Sequence, residues 1–371
     1  MTTLRVDDNL IQIALNHSSA TPVLIMDMAT LKRTAATFSG YAPAIATYYA
    51  VKANADPFVL RTLAGEGIGF EVASEAELST LLSLGVSSDR IITSNPIKAP
   101  AFISAMRSIG VDRFVVDSID EIDKLASYAP GCHVLLRLAV DNTGSTWPLD
   151  EKFAATAVET IELAMHAVQT GLQPAGLTFH VGSQCTNPFA WATALRDAKA
   201  VWDEVKNHEI KFDTLNVGGG FPAAHHDVHP DYEQSLDSIV ESISAFPDAS
   251  TIEVEPGRGL VGDAGVLVGR VVGKATRSGN RWLYLDVGVF NGLMEVVGGI
   301  EYQYTSLDHE GPENEWTVAG PSCDSMDIVA REVRLPDLAV GDRVAISPAG
   351  AYTSVYASSF NGLAQPRVLC V

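Results

Sequence analysis

TYYAVKANADP, residues 47–57, is a strand-like run that ends on a lysine. Ile45 to Ala53 has the β-branched and aromatic content of a short buried strand. Lys52 stands at its far end, just before the turn-forming Asn54-Ala55-Asp56-Pro57. Two readings fit that position. The lysine stem lies along apolar surface while its ammonium reaches water. Alternatively the amine is desolvated, its pKa falls below the ordinary value of about 10.4, and it attacks a carbonyl to form a Schiff base. Lys52 alone leaves both open, and the surrounding chain has to decide.

The same texture recurs outward from this stretch. Apolar, β-rich runs appear as GFEVAS near 74, IITSN near 95, RFVVDS near 118, HVLLRLAV near 140, GLTFHVGS near 183, TLNVGGG near 220 and TIEVEPGRG near 259. Segments with helical spacing separate them, such as EAELSTLLSLG (75–85) and FAATAVETIELAMHAVQTG (153–171), each closed by a glycine. Eight strand–helix units over roughly 210 residues predict a (β/α)8 TIM barrel across 23–261, with a doubly wound open sheet as the rival. After residue 262 the pattern changes to short strands without long helices. VGRVVGKATRSGNRWLYLDVG reads as two strands around Ser278-Gly279-Asn280. A C-terminal all-β domain is expected over 262–371, with 1–22 packed against it.

With 371 residues, 47% of them hydrophobic, the chain can bury a large core. A formal charge of -20 argues against a nucleic-acid or anionic-membrane partner, since both reward lysine and arginine. Cys132, Cys185, Cys323 and Cys370 have no paired spacing, which fits a reducing cytoplasm. MTTLRVDDNL lacks the basic start and apolar run of a signal peptide, and no apolar stretch approaches a transmembrane span of about 18 residues. A cytoplasmic globular protein is expected.

Chemistry-capable residues collect at the carboxyl ends of the runs: Lys52, Glu71, Arg137, His180, Ser183, Gly218-Gly219-Gly220, Glu255 and Arg258. In a (β/α)8 barrel that is the active-site face. The triple glycine is either a plain tight turn or a nest of backbone N–H groups that an anion approaches closely. Phosphate is the usual guest at such strand-to-helix turns, and Arg258 and the Ser183 hydroxyl are placed to complete its site. A carbonyl-seeking lysine beside a phosphate cradle points to pyridoxal 5'-phosphate, an aldehyde with a phosphate handle. Glu255 then either keeps the pyridine nitrogen protonated or simply pairs with Arg258.

YAVKAN, HVGSQ, GGGFP, EPGRG, GPSCDSMD and GAYT occur in an order and spacing that resembles the fold-type III pyridoxal-phosphate decarboxylases, the ornithine, lysine and diaminopimelate group, and among them the bacterial ornithine decarboxylases most. The resemblance spans nearly the whole chain. It implies that Lys52 holds the cofactor, that His180 stacks on its ring, and that Glu255 pairs with its pyridine nitrogen. Ser183, Gly218, Gly219, Gly220, Gly257, Arg258 and Tyr352 would meet the phosphate, with Glu71 and Arg137 beside the lysine. Cys323 and Asp324 would come from the second subunit of a homodimer, the cysteine assisting protonation of the reacting carbon and the aspartate meeting the substrate's distal amine. Phe360 and Asn361 would line the same region.

Two positions depart from the family pattern. FEVAS has Glu71 where relatives carry aspartate, one methylene shorter. LDVGVFNGLMEVVGGIEY (285–302) places Gly298-Gly299 where an acidic residue usually faces the distal amine, so a second carboxylate is missing and the pocket is expected to be larger. The implied reaction is decarboxylation of a basic L-amino acid, ornithine first and lysine next, with arginine or a modified diamino acid as the alternative. Meso-diaminopimelate fits less well, because the motif reads CDS rather than CES. An alanine racemase would place arginine at the pyridine nitrogen instead of Glu255. A non-catalytic homologue would have lost cofactor contacts that this chain keeps. A metal enzyme could be argued from His225, His226 and His229 in AAHHDVHPD, but no carboxylate or cysteine pattern supports one, and a solvated loop is the expectation.

Overall fold

The computed structural model describes residues 7–149, 151–224 and 229–371. Its first layer is a ring of eight short strands: β1 (Ala46–Ala50), β2 (Gly69–Glu71), β3 (Ile91–Ile92), β4 (Arg113–Val116), β5 (His133–Arg137), β6 (Gln173–Thr178), β7 (Thr214–Asn216) and β8 (Thr251–Val254). They pair in parallel in the order β3-β2-β1-β8-β7-β6-β5-β4. Strand β8 rejoins β1 through Glu253↔Ala46 and Val254↔Thr47. This is the barrel rather than the open sheet.

Among the described residues the seam between β3 and β4 carries no ladder, and a buried lysine bridges it. Lys98 Nζ donates to the carbonyls of Asn95 (3.1 Å), Pro96 (3.1 Å) and Val115 (2.6 Å) and pairs with Glu121 at 3.0 Å. Burial pushes this ammonium down to about 8.

The connecting helices start where side-chain caps satisfy their free N–H groups. Ser74 accepts from Glu77 N to open Glu75–Ser83, and Ser118 accepts from Glu121 N to open Ile119–Tyr128. The helix expected over 153–171 runs Ala157–Gln169, because Thr156 and Glu159 form a capping box. Ala155 instead extends the edge of β5, its N–H donating to Arg137 O at 2.9 Å.

The second layer is an eight-stranded sheet in which Gln303–Ser306, Arg343–Ser347, Gly265–Arg277, Asn280–Leu285, Asn314–Ala319 and Ile328–Leu335 lie side by side. Val23–Met26 belongs to this sheet and not to the barrel. It pairs antiparallel with Gly265–Val268 and parallel with Arg367–Cys370. Leu10 and Ala14 of the helix Asp8–His17 pack with Val23, Ile25, Val266, Val268 and Ala345. The chain then crosses to the barrel through the helix Met28–Ser39, whose Phe38 meets Phe221 edge-on with ring centroids 5.1 Å apart. Phe221 follows the triple glycine and also stacks on Trp191 at 4.5 Å, so aromatic packing anchors the glycine turn from below. Among the described residues no helix is long and apolar enough to cross a membrane.

Candidate active site

Lys52 lies in a short turn, Val51–Ala53, directly after β1. Its Nζ is 3.6 Å from Oε2 of Glu71, the last residue of the neighbouring strand β2. About half of the Lys52 side chain (53%) is open to the cleft, whereas Glu71 is 1% accessible and its Oε2 has no hydrogen-bond donor. The expectation of a depressed lysine pKa is not met. Although protein surrounds the amine on its other sides, the Glu71 charge, helped by Tyr352 and Glu255, outweighs desolvation and holds it above its ordinary value.

Glu255 follows β8 on the same face. Ser94 Oγ donates to its Oε1, and Asn216 Nδ2 donates to the same oxygen at 2.5 Å. Burial, and then the charge of Glu71, pushes this carboxyl up to about 7, while the two donors and Lys52 oppose the rise. Asn216 also accepts from Gly218 N at 2.9 Å, which couples the carboxylate to the glycine turn.

That turn is shaped for close approach. Gly218 and Gly220 have φ of +68° and +106°, values that favour glycine. A Cβ on Gly219 would lie 2.6 Å from Glu255 O and 3.0 Å from His180 Nε2. His180 is held neutral by burial, well below its usual range, and its Nδ1 accepts from Gly182 N at 3.0 Å.

Arg258 does not pair with Glu255. Its guanidinium forks onto Glu295, Nη1 donating to Oε2 at 2.8 Å and Nη2 to Oε1, and both side chains are buried. Nη2 also reaches Ser183 Oγ at 3.4 Å, and the guanidinium lies 5.0 Å over the Tyr352 ring. Nε of Arg258 is buried without an acceptor. Tyr352 sits in a left-handed conformation (φ 61°) and its N–H donates to Ala53 O at 2.7 Å, beside the Lys52 turn. A Cβ on Gly257 would meet Ala53 Cβ at 3.3 Å and Tyr352 Oη at 3.5 Å. Arg137, at the end of β5, is lowered by burial while Glu255, Asp117 and Glu71 oppose the shift.

The twelve positions expected to meet the cofactor thus lie around one cleft. The orphaned, buried Nε of Arg258 and a turn in which Cβ atoms have no room are what a cofactor phosphate requires. The amine at one end and the carboxylate at the other match an aldehyde and a ring nitrogen. These residues fit pyridoxal phosphate.

The remaining expected residues form a separate group. Cys323 Sγ and N both donate to Asn361 Oδ1, at 3.4 and 3.3 Å, and Phe360 packs on Phe290 with ring centroids 4.7 Å apart. Cys323 and Asp324 are exposed, and among the described residues no hydrogen bond joins this group to the Lys52 cleft.

Gly298 differs from expectation. The Trp147 indole rests on it, so that a Cβ there would come within 2.6 Å of Cδ2 and nearer still to Cε3 and Cζ3. The space expected from a missing carboxylate is filled on this side by an aromatic ring. Trp147 stands opposite Ser183 in the antiparallel pair Ser145–Trp147 and Ser183–Cys185, so both side chains share a face. His225 and His226 lie outside the described residues. Among the described residues no group of three or more histidine, cysteine, aspartate or glutamate side chains is arranged to hold a metal.

The family model of the pyridoxal-binding domain of pyridoxal-dependent decarboxylases matches residues 28–262. The lysine/ornithine decarboxylase of Selenomonas ruminantium is 35% identical over 348 residues, covering 92% of this chain and 87% of its own. The lysine/ornithine decarboxylase of Vibrio vulnificus, solved with cadaverine, has a TM-score of 0.89 at 30% identity and covers 98% of each chain. The arginine decarboxylase of Paramecium bursaria Chlorella virus, solved with agmatine, has a TM-score of 0.90 at 29% identity over 98% of this chain and 99% of its own. The chain belongs to the pyridoxal-dependent decarboxylases. It is a pyridoxal 5'-phosphate enzyme, a carboxy-lyase acting on a basic amino acid.

Proposed function

We propose that this decarboxylase converts L-ornithine to putrescine, with L-lysine to cadaverine as its second reaction, and that it works as a cytoplasmic homodimer with two sites. The observation that carries the preference for a compact substrate is the Trp147 indole resting on Gly298, which leaves no added space at that position; in this reading the ring closes the side of the pocket where a longer side chain would need room. The relatives named for lysine, ornithine and cadaverine support the same class. Arginine or a larger diamino acid is the second reading. The space at Gly299 favours it, since a Cβ there would meet nothing nearer than Thr146 Cγ2 at 3.9 Å.

Lys52 would supply the amine that holds the cofactor and would give up that place to the substrate's α-amine. The phosphate would be held by the N–H groups of Gly219 and Gly220, the Ser183 hydroxyl, Arg258 Nε and Tyr352, with Gly218, whose own N–H is committed to Asn216, and the close-packed Gly257 leaving it room. Pyridoxal phosphate, once bound, supplies a protonated ring that accepts the electron pair left on Cα as carbon dioxide departs. Glu255 holds the proton at the ring nitrogen. Neutral His180 covers the ring face without adding a competing charge. Glu71 and Arg137 fix the charge balance around Lys52.

Cys323 of a second copy delivers a proton to Cα, and Asp324 of that copy pairs with the substrate's distal cation. Phe360 and Asn361 shape the wall and hold Cys323 in place. Four free cysteines, one of them exposed, suit a reducing compartment.

The test is carbon dioxide release by the purified, cofactor-loaded protein from L-ornithine, L-lysine, L-arginine, meso-diaminopimelate and a neutral amino acid. Ornithine should have the highest kcat/KM and the neutral amino acid a value about 10⁴-fold lower, because it leaves unpaired an Asp324 carboxylate that the dimer would enclose. Turnover of arginine with silence on ornithine and lysine would replace this reading with the second.

A further inference from the structure

Ser94 sits two residues beyond β3 and touches both carboxylates of the cleft. Its N–H donates to Glu71 Oε1 at 3.2 Å and its hydroxyl donates to Glu255 Oε1. Asn216 Nδ2 reaches that same Glu255 oxygen from β7. Two donors on one oxygen fix the carboxylate plane and leave Oε2 for a further partner.

We propose that Ser94 is a positioning residue of the cofactor site, whose hydroxyl keeps Glu255 ionised and turns its Oε2 toward the cofactor's ring nitrogen. The inference rests on the pyridoxal-phosphate reading of the cleft and adds a residue outside the recognised motifs.

The charge balance shows why such a clamp is needed. Glu255 faces Glu71 from β2, Lys52 from the turn after β1 and Arg137 from the end of β5, while Asn216 also bonds Glu253 Oε2 at 3.1 Å and Tyr48 feels both glutamates. Two buried carboxylates that share one cleft favour a proton on one of them. A protonated Glu255 would have no negative charge to set against a pyridinium. The Ser94 and Asn216 donors bond the charged form and pull in the opposite direction.

The sign follows from that balance. Glu255 is raised to about 7, so below neutral pH it carries a proton that must leave before a pyridinium can bind beside it. Cofactor affinity therefore falls on the acid side. Loss of the Ser94 hydroxyl raises Glu255 further and moves that acid limb to higher pH.

The experiment is equilibrium binding of pyridoxal 5'-phosphate across neutral pH, with the visible band of the lysine-linked cofactor as a second readout. Ser94→Ala keeps the N–H that serves Glu71 and removes only the hydroxyl. Its acid limb is expected about one pH unit higher, an affinity about tenfold weaker on that limb. Ser94→Thr should restore the wild-type limb, and Glu255→Gln should abolish it. A Ser94→Ala limb coincident with wild type would overturn the proposal alone. If wild type and Lys52→Ala bind the cofactor identically, with the same band, the reading of the cleft falls and the proposal with it.

Discussion

Arg258 shows how the site works at the scale of one residue. Both of its terminal nitrogens bond Glu295, and the buried Nε has no partner in the protein, which leaves it for a phosphate. Removing the Glu295 charge by Glu295→Gln leaves a buried guanidinium uncompensated, a loss of about 3–5 kcal/mol. The cofactor's phosphate would supply part of the missing charge. Thermal melts should therefore show a larger loss in the cofactor-free protein than in the loaded one, and equal losses would argue that the phosphate sits elsewhere. Lys52, Glu255 and the three glycines were legible in the sequence because each belongs to a short motif at the end of its own strand. Glu295, Asn216 and Ser94 were not, because they act through pairings with residues 37 to 161 positions away. The direction of the Lys52 shift was misread for the same reason. Burial alone lowers a lysine, and only the folded chain brings Glu71 to 3.6 Å.

Among the elements, the barrel strands could be read directly because each is a short apolar run ending in a polar or glycine residue. Val23–Met26 reads the same way yet joins the other sheet, since a continuous apolar strand suits any doubly covered position. The pair Ser145–Trp147 and Ser183–Cys185 went unread, being three residues long on each side. It nonetheless places Trp147 on Gly298, the contact proposed to limit substrate length. Gly298→Asp alone should cost about 1–3 kcal/mol through overpacking. Trp147→Ala should tolerate Gly298→Asp and should raise kcat/KM for arginine relative to ornithine. An unchanged arginine-to-ornithine ratio in Trp147→Ala, with the fold intact, would show that the indole does not define substrate length.

For the whole molecule, the residues proposed to hold the cofactor surround one cleft, while Cys323, Asp324, Phe360 and Asn361 are exposed. Exposed apolar side chains accompany that second group, among them Met294, Val297, Met326, Tyr356 and Phe360. The proposed closed two-fold dimer would cover such side chains, and in it each copy would complete its partner's site. The most direct measurement mixes two inactive proteins, Lys52→Ala, which lacks the cofactor amine, and Asp324→Ala, which lacks the distal carboxylate. Carbon dioxide release from L-ornithine is then followed. Random exchange makes half the dimers mixed, each with one intact site, so activity should return to about one quarter of wild type. Mixed dimers that form but release no carbon dioxide would contradict a site shared between two copies.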